Sequence, residues 1–412
     1  MPLPHNRHCT SAIKKESRRA TPLIEVAIVI VDEAMNIANT AITCMNTTLQ
    51  DFKNRPHELF GNTVVLLLGD PRQPLPVVPH STPAVTIEAS LHTLPFFDSF
   101  QKLQLHEKFR LLDPAATVEP DVLQRRCEDA EWLLQLGEGK LPELSQEFRE
   151  RNTPSDLIEI PRRLLLPQGS GVLELIQHVY HDLRLHYMHD GYFLNRCILT
   201  PKNIDVDEIN RLVLNMIPTT TTTSYSCDSV DAALYAEEVL NQQQQTSLPS
   251  HILTLKDYMV LILLRNLNTK QGVVNGTRMI KLPALPRDSK YSLRCRLITG
   301  NNTGNIVLLP RISLSPTEGS LPFNLIRKQF PVRPCFSMTI NKSQGQGFNT
   351  FGINLSNPCF SHGQLYVTLS RSSNLDNAKF RIEDGPQQGK LSNDPDNNTV
   401  YTRNVVYKNI LP

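Results

Sequence analysis

Residues 26–34, VAIVIVDEA, and 64–70, VVLLLGD, decide how this chain is read. Each is an unbroken aliphatic run that ends in acid. Residues 26–31 lead into Asp32 and Glu33, and residues 64–68 lead into Gly69 and Asp70. Runs of this length predict strands buried on both faces, as in a parallel sheet covered by helices. A parallel pair cannot be closed by a tight turn, and residues 36–52 are suited to form the crossover helix it needs. Polar residues at the carboxyl ends of such strands lie where α/β sheets bind ligands. The two acidic ends are therefore predicted to sit side by side at one site.

Further along, 196–200 (RCILT) predicts another strand, followed by a turn at 201–203. Asp205 is suited to cap a helix over 206–216, with Glu208 three residues on as in a capping box. The homopolymer tracts at 219–223 and 242–245 predict a flexible loop. From 252 to 314 the pattern changes to short β-rich pieces at 258–264, 277–282, 292–299 and 304–309. Turn residues at 275–276 and 300–304 separate them, and this spacing predicts a small β-barrel. Strands at 337–340 and 352–355 and a helix at 364–370 return the chain to an α/β pattern. There is no internal repeat.

A chain of 412 residues has room for two or three domains, at roughly 100–200 residues per domain. A formal net charge of +2 gives no global basic excess, and a local groove can hold a single strand without one. The eight cysteines are scattered with no CxxC pair, which argues against zinc ligation and a disulfide framework and fits a reducing compartment. No stretch approaches the ~20 apolar residues of a membrane span. The first 20 residues hold no apolar signal core, and the basic run at 14–19 reads as a solvated helix face.

Several short motifs carry chemistry. The segment IVIVDEA at 28–34 has the form of a Walker B element. Nucleoside triphosphate hydrolysis needs one carboxylate near Mg²⁺ and one group to orient the attacking water, and Asp32 and Glu33 can meet those needs. An acidic pair after a strand is also a common surface turn, so this motif alone decides little. LGDPRQPLPVVP at 68–79 is more specific: a strand ending in Gly69 and Asp70, then Gln73, then a proline-rich turn, as in helicase motif III. LHEKFRL at 105–111 offers Arg110. The block FPVRPCFSMTINKSQGQGF at 330–348 places Thr339, Asn341 and Lys342 where they could contact backbone phosphates. Gln344 and Gly345 in the same block allow close approach of the chain to a nucleotide. FSHGQLYVTLSRS at 360–372 ends with Arg371, whose guanidinium suits bidentate stabilisation of a transferring phosphoryl group.

Taken in this order, these blocks resemble the Pif-type superfamily 1 DNA helicases, and especially the helicase region of eukaryotic Helitron transposon proteins. The likeness runs from about residue 11 to residue 385. It includes the linking segments 132–142 (WLLQLGEGKLP), 198–210 (ILTPKNIDVDEIN), 263–278 (LLRNLNTKQGVVNGTR) and 307–314 (VLLPRISL). It implies an α/β protein of two RecA-like P-loop NTPase domains with an SH3-like β-barrel inserted in the second. On that reading 1–115 is an incomplete first domain, 116–250 and 321–390 form the second, 251–320 is the barrel and 391–412 a tail. The resemblance also implies ATP hydrolysis with Mg²⁺ and 5′→3′ movement on single-stranded DNA that unwinds duplex DNA. With it come a nuclear location and associations with repair, recombination and telomere maintenance. Asp32 would hold Mg²⁺, Glu33 would polarise the water and Gln73 would sense the γ-phosphate. Gly69, Asp70, Gln344 and Gly345 would line the nucleotide, and Arg110 and Arg371 would reach into the same cleft. Thr339, Asn341 and Lys342 would lie near the DNA.

The chain departs from that pattern in places. The family carries a glycine-rich GxxxxGKS or GxxxxGKT loop ahead of its Walker B strand, whose backbone N–H groups and lysine cradle the phosphates. No such stretch occurs among the 31 residues before Asp32 or elsewhere. The expectation is a truncated motor that is inactive alone; the alternative is a non-catalytic single-strand-binding remnant. Gly347 stands where threonine is usual, Met35 where proline is usual, and Asp257–Tyr258 replaces a glycine-containing turn.

Overall fold

The computed structural model describes residues 11–78, 81–105, 120–144, 154–189, 191–230, 235–245, 247–286, 288–289, 291–316, 321–372, 374–390 and 399–411. The amino-terminal lobe contains helix α1 (Thr21–Glu25), strand β1 (Ile28–Val31), helix α2 (Asn39–Phe52), strand β2 (Val64–Leu67) and helix α3 (Pro83–Glu88). Strands β1 and β2 pair in parallel, Ile28 opposite Val64 and Val31 opposite Leu67, with α2 in the crossover between them. Ile42 and Leu49 of α2 join Ala34, Phe60, Leu91 and Leu94 in a small core, against which Val29, Val31, Val65 and Leu67 pack.

Burial of both faces of this pair is an expectation the structure corrects. Ile28, Ile30, Val64 and Leu66 are 50%, 59%, 62% and 38% exposed, and no described element covers them. Successive side chains of a strand point to opposite faces. An all-aliphatic run therefore permits burial on both sides but cannot reveal which side has a partner.

Helix α4 (Pro120–Gly137) leads to the second lobe, where Trp132 and Leu133 pack on the main core. That lobe is built on four parallel strands in the order β15 (Ser337–Thr339), β4 (Arg196–Thr200), β16 (Thr350–Leu355) and β17 (Ala378–Ile382). Helix α5 (Val172–Val179) lies so close to β16 that a Cβ on Gly352 would fall 2.9 Å from Leu175 Cδ1 and 3.0 Å from Val179 Cγ2. Glycine there lets the helix close on the sheet.

Helix α7 spans Asn203–Met216, so Asp205 is not its cap. The helix starts earlier, and Asp205 sits in the first turn, where a carboxylate favours the positive end of the dipole and accepts a hydrogen bond from Thr200 Oγ1 at 3.3 Å. Asn210, buried on α7, accepts from the backbone N–H groups of Phe336 and Ser337 at 2.8 and 2.9 Å and donates to Ser337 O at 3.3 Å. The amide thus fixes β15 against α7. The threonine tract is not a loop either. Strand β5 (Thr221–Tyr225) pairs antiparallel with β7 (Ile252–Lys256), since β-branched side chains suit a pleated, half-exposed edge.

Where a small barrel is predicted, the structure holds a five-stranded antiparallel sheet in the order β11 (Ile306–Pro310), β10 (Ser292–Leu297), β9 (Arg278–Lys281), β8 (Val260–Leu263) and β14 (Val332–Pro334). Arg278, fully buried on β9, roots this sheet in the second lobe. Its guanidinium donates to the carbonyls of Leu194, Phe193 and Arg196 at 3.2, 3.4 and 2.8 Å. Tyr258, at the turn before β8, takes φ +65°, a left-handed conformation that glycine adopts without strain.

A smaller sheet orders β12 (Ile312–Leu314), β13 (Leu325–Gln329) and β6 (Cys227–Val230). Its centre is a fully buried ion pair, Arg327 Nη2 to Asp228 Oδ2 at 2.6 Å. The same guanidinium donates to the carbonyls of Leu240, Asn241, Gln243 and Pro249. The glutamine tract is thereby tied down through its backbone, beside α8 (Glu237–Asn241). The carboxyl-terminal segment is also integrated: β18 (Tyr401–Arg403) pairs antiparallel with β3 (Leu157–Glu159).

Removing one member of a buried ion pair leaves an uncompensated charge. Arg327→Met is predicted to cost about 3–5 kcal/mol of stability in urea denaturation. A loss below about 1 kcal/mol, the range of an exposed pair, would show that the pair does not anchor this sheet.

Candidate nucleotide-binding cleft

The carboxyl ends of β1 and β2 are tied together, with Ala34 N–H donating to Leu68 O at 2.7 Å. Gly69 permits this approach, because a Cβ there would lie 2.9 Å from Met35 Cγ. Asp32 is exposed, and its Oδ1 accepts from the Glu33 N–H at 2.9 Å. Glu33 has φ +50°, a left-handed conformation that costs a non-glycine residue roughly 1–2 kcal/mol. Strain of this kind tends to gather at functional sites. Here it accompanies a glutamate side chain that reaches the other lobe.

Asp70 shapes the loop after β2. Its Oδ1 accepts from Arg72 N–H at 3.1 Å and from Arg72 Nε at 2.7 Å, and Gln73 N–H donates to Asp70 O at 3.0 Å. Pro74, Leu75 and Pro76 are buried behind it. The proline-rich run thus anchors a rigid loop that presents Gln73.

From the second lobe, β15 ends at Thr339 and the chain makes a short 3₁₀ turn over Ile340–Ser343 before Gln344. Gly345 follows with φ +75°, which lets the backbone reverse there. The Gln344 amide Nε2 donates to Glu33 Oε2 at 3.1 Å and also to Gln73 Oε1. Three sequence-predicted site residues, Glu33, Gln73 and Gln344, are therefore joined by one side chain crossing between the lobes.

Arg371 is placed differently from the expectation that it reaches into the cleft. At 8% exposure, its guanidinium donates to Val367 O at 2.9 Å, to Ser343 O and Gln346 O at 3.4 Å each, and to Ser370 Oγ at 2.8 Å. It braces the turn that carries Gln344, behind the surface that meets Glu33. An arginine at a helix end bonds whichever carbonyls it reaches, and the preceding turn supplies them. Asn341 Oδ1 accepts from Gln364 Nε2 at 3.3 Å. Lys342 is solvent-accessible, but surrounding protein still desolvates its ammonium, and Arg333 adds repulsion, so its pKa is pushed down. Thr339, Asn341 and Lys342 share one turn. Arg110 falls in 106–119, outside the described residues.

The structure also brings in residues that motif reading passed over. Helix α9 (Gln364–Leu369) begins after Gly363. Tyr366 OH donates to Asp70 Oδ2 at 2.6 Å, and Arg72 lies over the Tyr366 ring at 5.6 Å. His362 is fully buried. Its Nδ1 accepts from Tyr407 N–H at 3.0 Å, so its Nε2 carries the proton that is given to Pro71 O at 2.9 Å. The only advance signal was their place inside FSHGQLYVTLSRS. Among the described residues, no cluster of three or more histidine, cysteine, aspartate or glutamate side chains could hold a metal ion, and no helix is long and apolar enough to cross a membrane.

Two α/β lobes whose parallel strands aim their carboxyl ends at a shared cleft place that cleft where α/β sheets bind ligands. A family model described as "PIF1-like helicase" matches residues 1–147, and one described as "DNA helicase Pif1, 2B domain" matches residues 238–281. Those two stretches are similar to Pif1-like helicases. It is 31% identical over 126 residues to human ATP-dependent DNA helicase PIF1, covering 31% of this chain and 19% of that protein. For the Xenopus laevis PIF1 the figures are 27% over 237 residues, covering 57% and 34%. For ATP-dependent DNA helicase PIF6 of Trypanosoma brucei brucei they are 22% over 351 residues, covering 83% and 39%. The chain thus spans well under half the length of these relatives. Among solved structures, Bacteroides Pif1 bound to ssDNA superposes with a TM-score of 0.59 at 18% identity, over 91% of this chain and 75% of that one. Pif1 from Candida albicans gives 0.56 at 20% identity, over 90% and 75%. These show the α/β RecA-like fold.

Burial first of all, and His92 nearby, push the His362 pKa down, while Pro71 O and Asp70 oppose the shift. A group whose folded pKa is depressed stabilises the fold fully above its unfolded value, about 6.5 for histidine. That stabilisation is lost as pH falls through the lower folded value. Between pH 7 and 5 the melting temperature of the native chain is predicted to drop more steeply than that of His362→Gln. Parallel slopes would show that His362 does not charge at the expense of the seam.

Proposed function

We propose that this chain carries the motor residues of an ATP-dependent DNA helicase of the Pif1 type, moving 5′→3′ on single-stranded DNA with ATP held between its lobes, and that these residues are inactive without a phosphate-cradling loop such as GxxxxGK. The observation that carries the reading is the Gln344 amide, which joins Glu33 to Gln73 from the opposite lobe. A bridge of this kind ties a hydrolytic carboxylate, a sensor amide and the second-lobe turn beside Lys342 into one unit. On this reading 1–115 is an incomplete first RecA-like lobe, 116–250 with 321–390 form the second, and 251–320 is an SH3-like β-barrel inserted in the second.

The residues can share the chemistry as follows. Glu33 orients and polarises the attacking water, and the fixed loop at Asp70 and Arg72 keeps Gln73 aimed at the terminal phosphate. Asp32 is exposed and, among the described residues, engages a backbone N–H through one oxygen only, which suits a hard, oxygen-seeking Mg²⁺. When bound, such an ion supplies neutralisation of charge on the phosphate oxygens. Arg371 holds the Gln344 turn in register in the observed state. The turn over Thr339, Asn341 and Lys342 offers the DNA backbone hydrogen-bond donors and a positive charge. The lowered Lys342 pKa fits a lysine that gains from an incoming phosphate.

Glu33→Gln keeps the shape and the Gln344 partner but removes the base. In a chain supplied with a GxxxxGK phosphate loop it is predicted to lower ATP turnover stimulated by single-stranded DNA by ~10²–10⁴-fold, with strand binding retained. Lys342→Ala is predicted to weaken strand binding and reduce its salt slope by about 1. Turnover insensitive to Glu33→Gln would overturn the assignment. Salt-sensitive strand binding with no turnover even when that loop is supplied would favour a non-catalytic single-strand binder.

A further inference from the structure

The loop Asp70–Arg72 is gripped at three successive residues by the start of the second-lobe helix α9. Asp70 Oδ2 accepts from Tyr366 OH at 2.6 Å. Pro71 O accepts from His362 Nε2 at 2.9 Å. Arg72 O lies so near Gly363 that a Cβ there would sit 2.2 Å from it. Gly363 has φ +71°, so glycine serves both the approach and the backbone conformation. Arg72 is held in turn over the Tyr366 ring at 5.6 Å and by Glu138 of the linking segment at 3.6 Å.

The grip has its own backing. The His362 ring stacks on Tyr407 with centroids 5.2 Å apart and planes 18° from parallel. Tyr407 N–H donates to His362 Nδ1, and Gly363 N–H donates to Val405 O at 3.1 Å. Asn404 Nδ2 holds this carboxyl-terminal segment to Leu136 O of α4 at 2.8 Å. Immediately beyond the other end of α9, Arg371 braces the Gln344 turn. One short helix therefore fixes both partners of the interlobe hydrogen bond: Gln73, through the loop it grips, and Gln344, through Arg371.

We infer that Tyr366 and His362 are positioning residues that hold the Gln73 loop on the second lobe and keep Gln73 and Gln344 in register. Their bearing on turnover rests on the function proposed above. Neither side chain needs to touch the nucleotide. Their work is to remove freedom from a loop that carries a reacting-site amide, so their loss should fall on turnover more than on binding.

The test is Tyr366→Phe, which keeps the ring and deletes the hydroxyl, alongside Asp70→Asn and the double variant, all in the full chain. Hydrogen–deuterium exchange of the peptide spanning 69–78, in protein without nucleotide, is expected to quicken severalfold in each variant. The double variant should be no faster than the quicker single. Where ATP turnover is measured with single-stranded DNA, kcat is expected to fall roughly tenfold or more, the scale of one hydrogen bond to a charged group, with KM for ATP within about twofold. His362→Ala should loosen the same peptide, and His362→Gln, which restores an N–H donor, should recover part of the protection. Unchanged exchange in Tyr366→Phe overturns the inference whether or not the chain hydrolyses ATP. Faster exchange with kcat unchanged overturns it as well. A chain with no turnover even when a phosphate loop is supplied, combined with faster exchange in the variants, removes the ATPase reading and leaves the grip standing.

Discussion

A single neutral amide crosses between the lobes at the centre of the cleft. Gln344 Nε2 donates to a carboxylate on β1's extension and to a second amide beyond β2. It can do so only if both lobes are held to within a few tenths of an ångström, because hydrogen bonds weaken steeply with misalignment. Much of the surrounding structure serves that requirement. Asn210 fixes β15, which aims the turn bearing Gln344. Arg371 closes that turn from behind, and the strained backbone of Glu33 meets it from the front.

The charges around this amide are arranged so that few are left without a nearby compensating group. Asp70 is paired with Arg72 and takes the Tyr366 proton donor. Arg371 donates to backbone and hydroxyl oxygens. A guanidinium is not deprotonated in proteins, and Tyr366 is close enough to feel this charge. The Arg371 guanidinium thus lies on the second-lobe side of the cleft and the acids Asp32 and Glu33 on the first-lobe side. An anionic ligand bridged by a divalent cation suits that asymmetry. The same polarity continues to Lys342, whose ammonium is held by partial burial at some cost and so gains from a phosphate.

The parts of this arrangement that were legible in the sequence are those set by local pattern. The runs 26–31, 64–68 and 196–200 located β1, β2 and β4 to within two residues, since aliphatic and β-branched side chains favour strand. The turn residues at 275–276 and 300–304 helped to mark β8, β9, β10 and β11. Grouping Glu33, Gln73 and Gln344 was possible only through motif resemblance, and the structure brings those three together. What stayed hidden depends on tertiary partners. Nothing in VAIVIV tells which face lacks a cover. Nothing in the threonine tract names β7 as its partner. Asp205 carries the composition of a cap but lies inside a helix that starts earlier. The direction of Arg371 is settled by carbonyls that happen to lie in reach. Tyr366 meets Asp70 across 296 positions and His362 meets Pro71 across 291, so no window of sequence contains either pair.

The central claim is that one nucleotide site is built from both lobes. Titration calorimetry of the native chain with a non-hydrolysable ATP analogue and Mg²⁺ tests it most directly, alongside Gln73→Ala from the first lobe and Gln344→Ala from the second. The account predicts that each substitution weakens binding by about fivefold or more, on the scale of one net hydrogen bond. Affinity that falls with Gln73→Ala but is untouched by Gln344→Ala would mean that the second lobe is a neighbour of the site and no part of it.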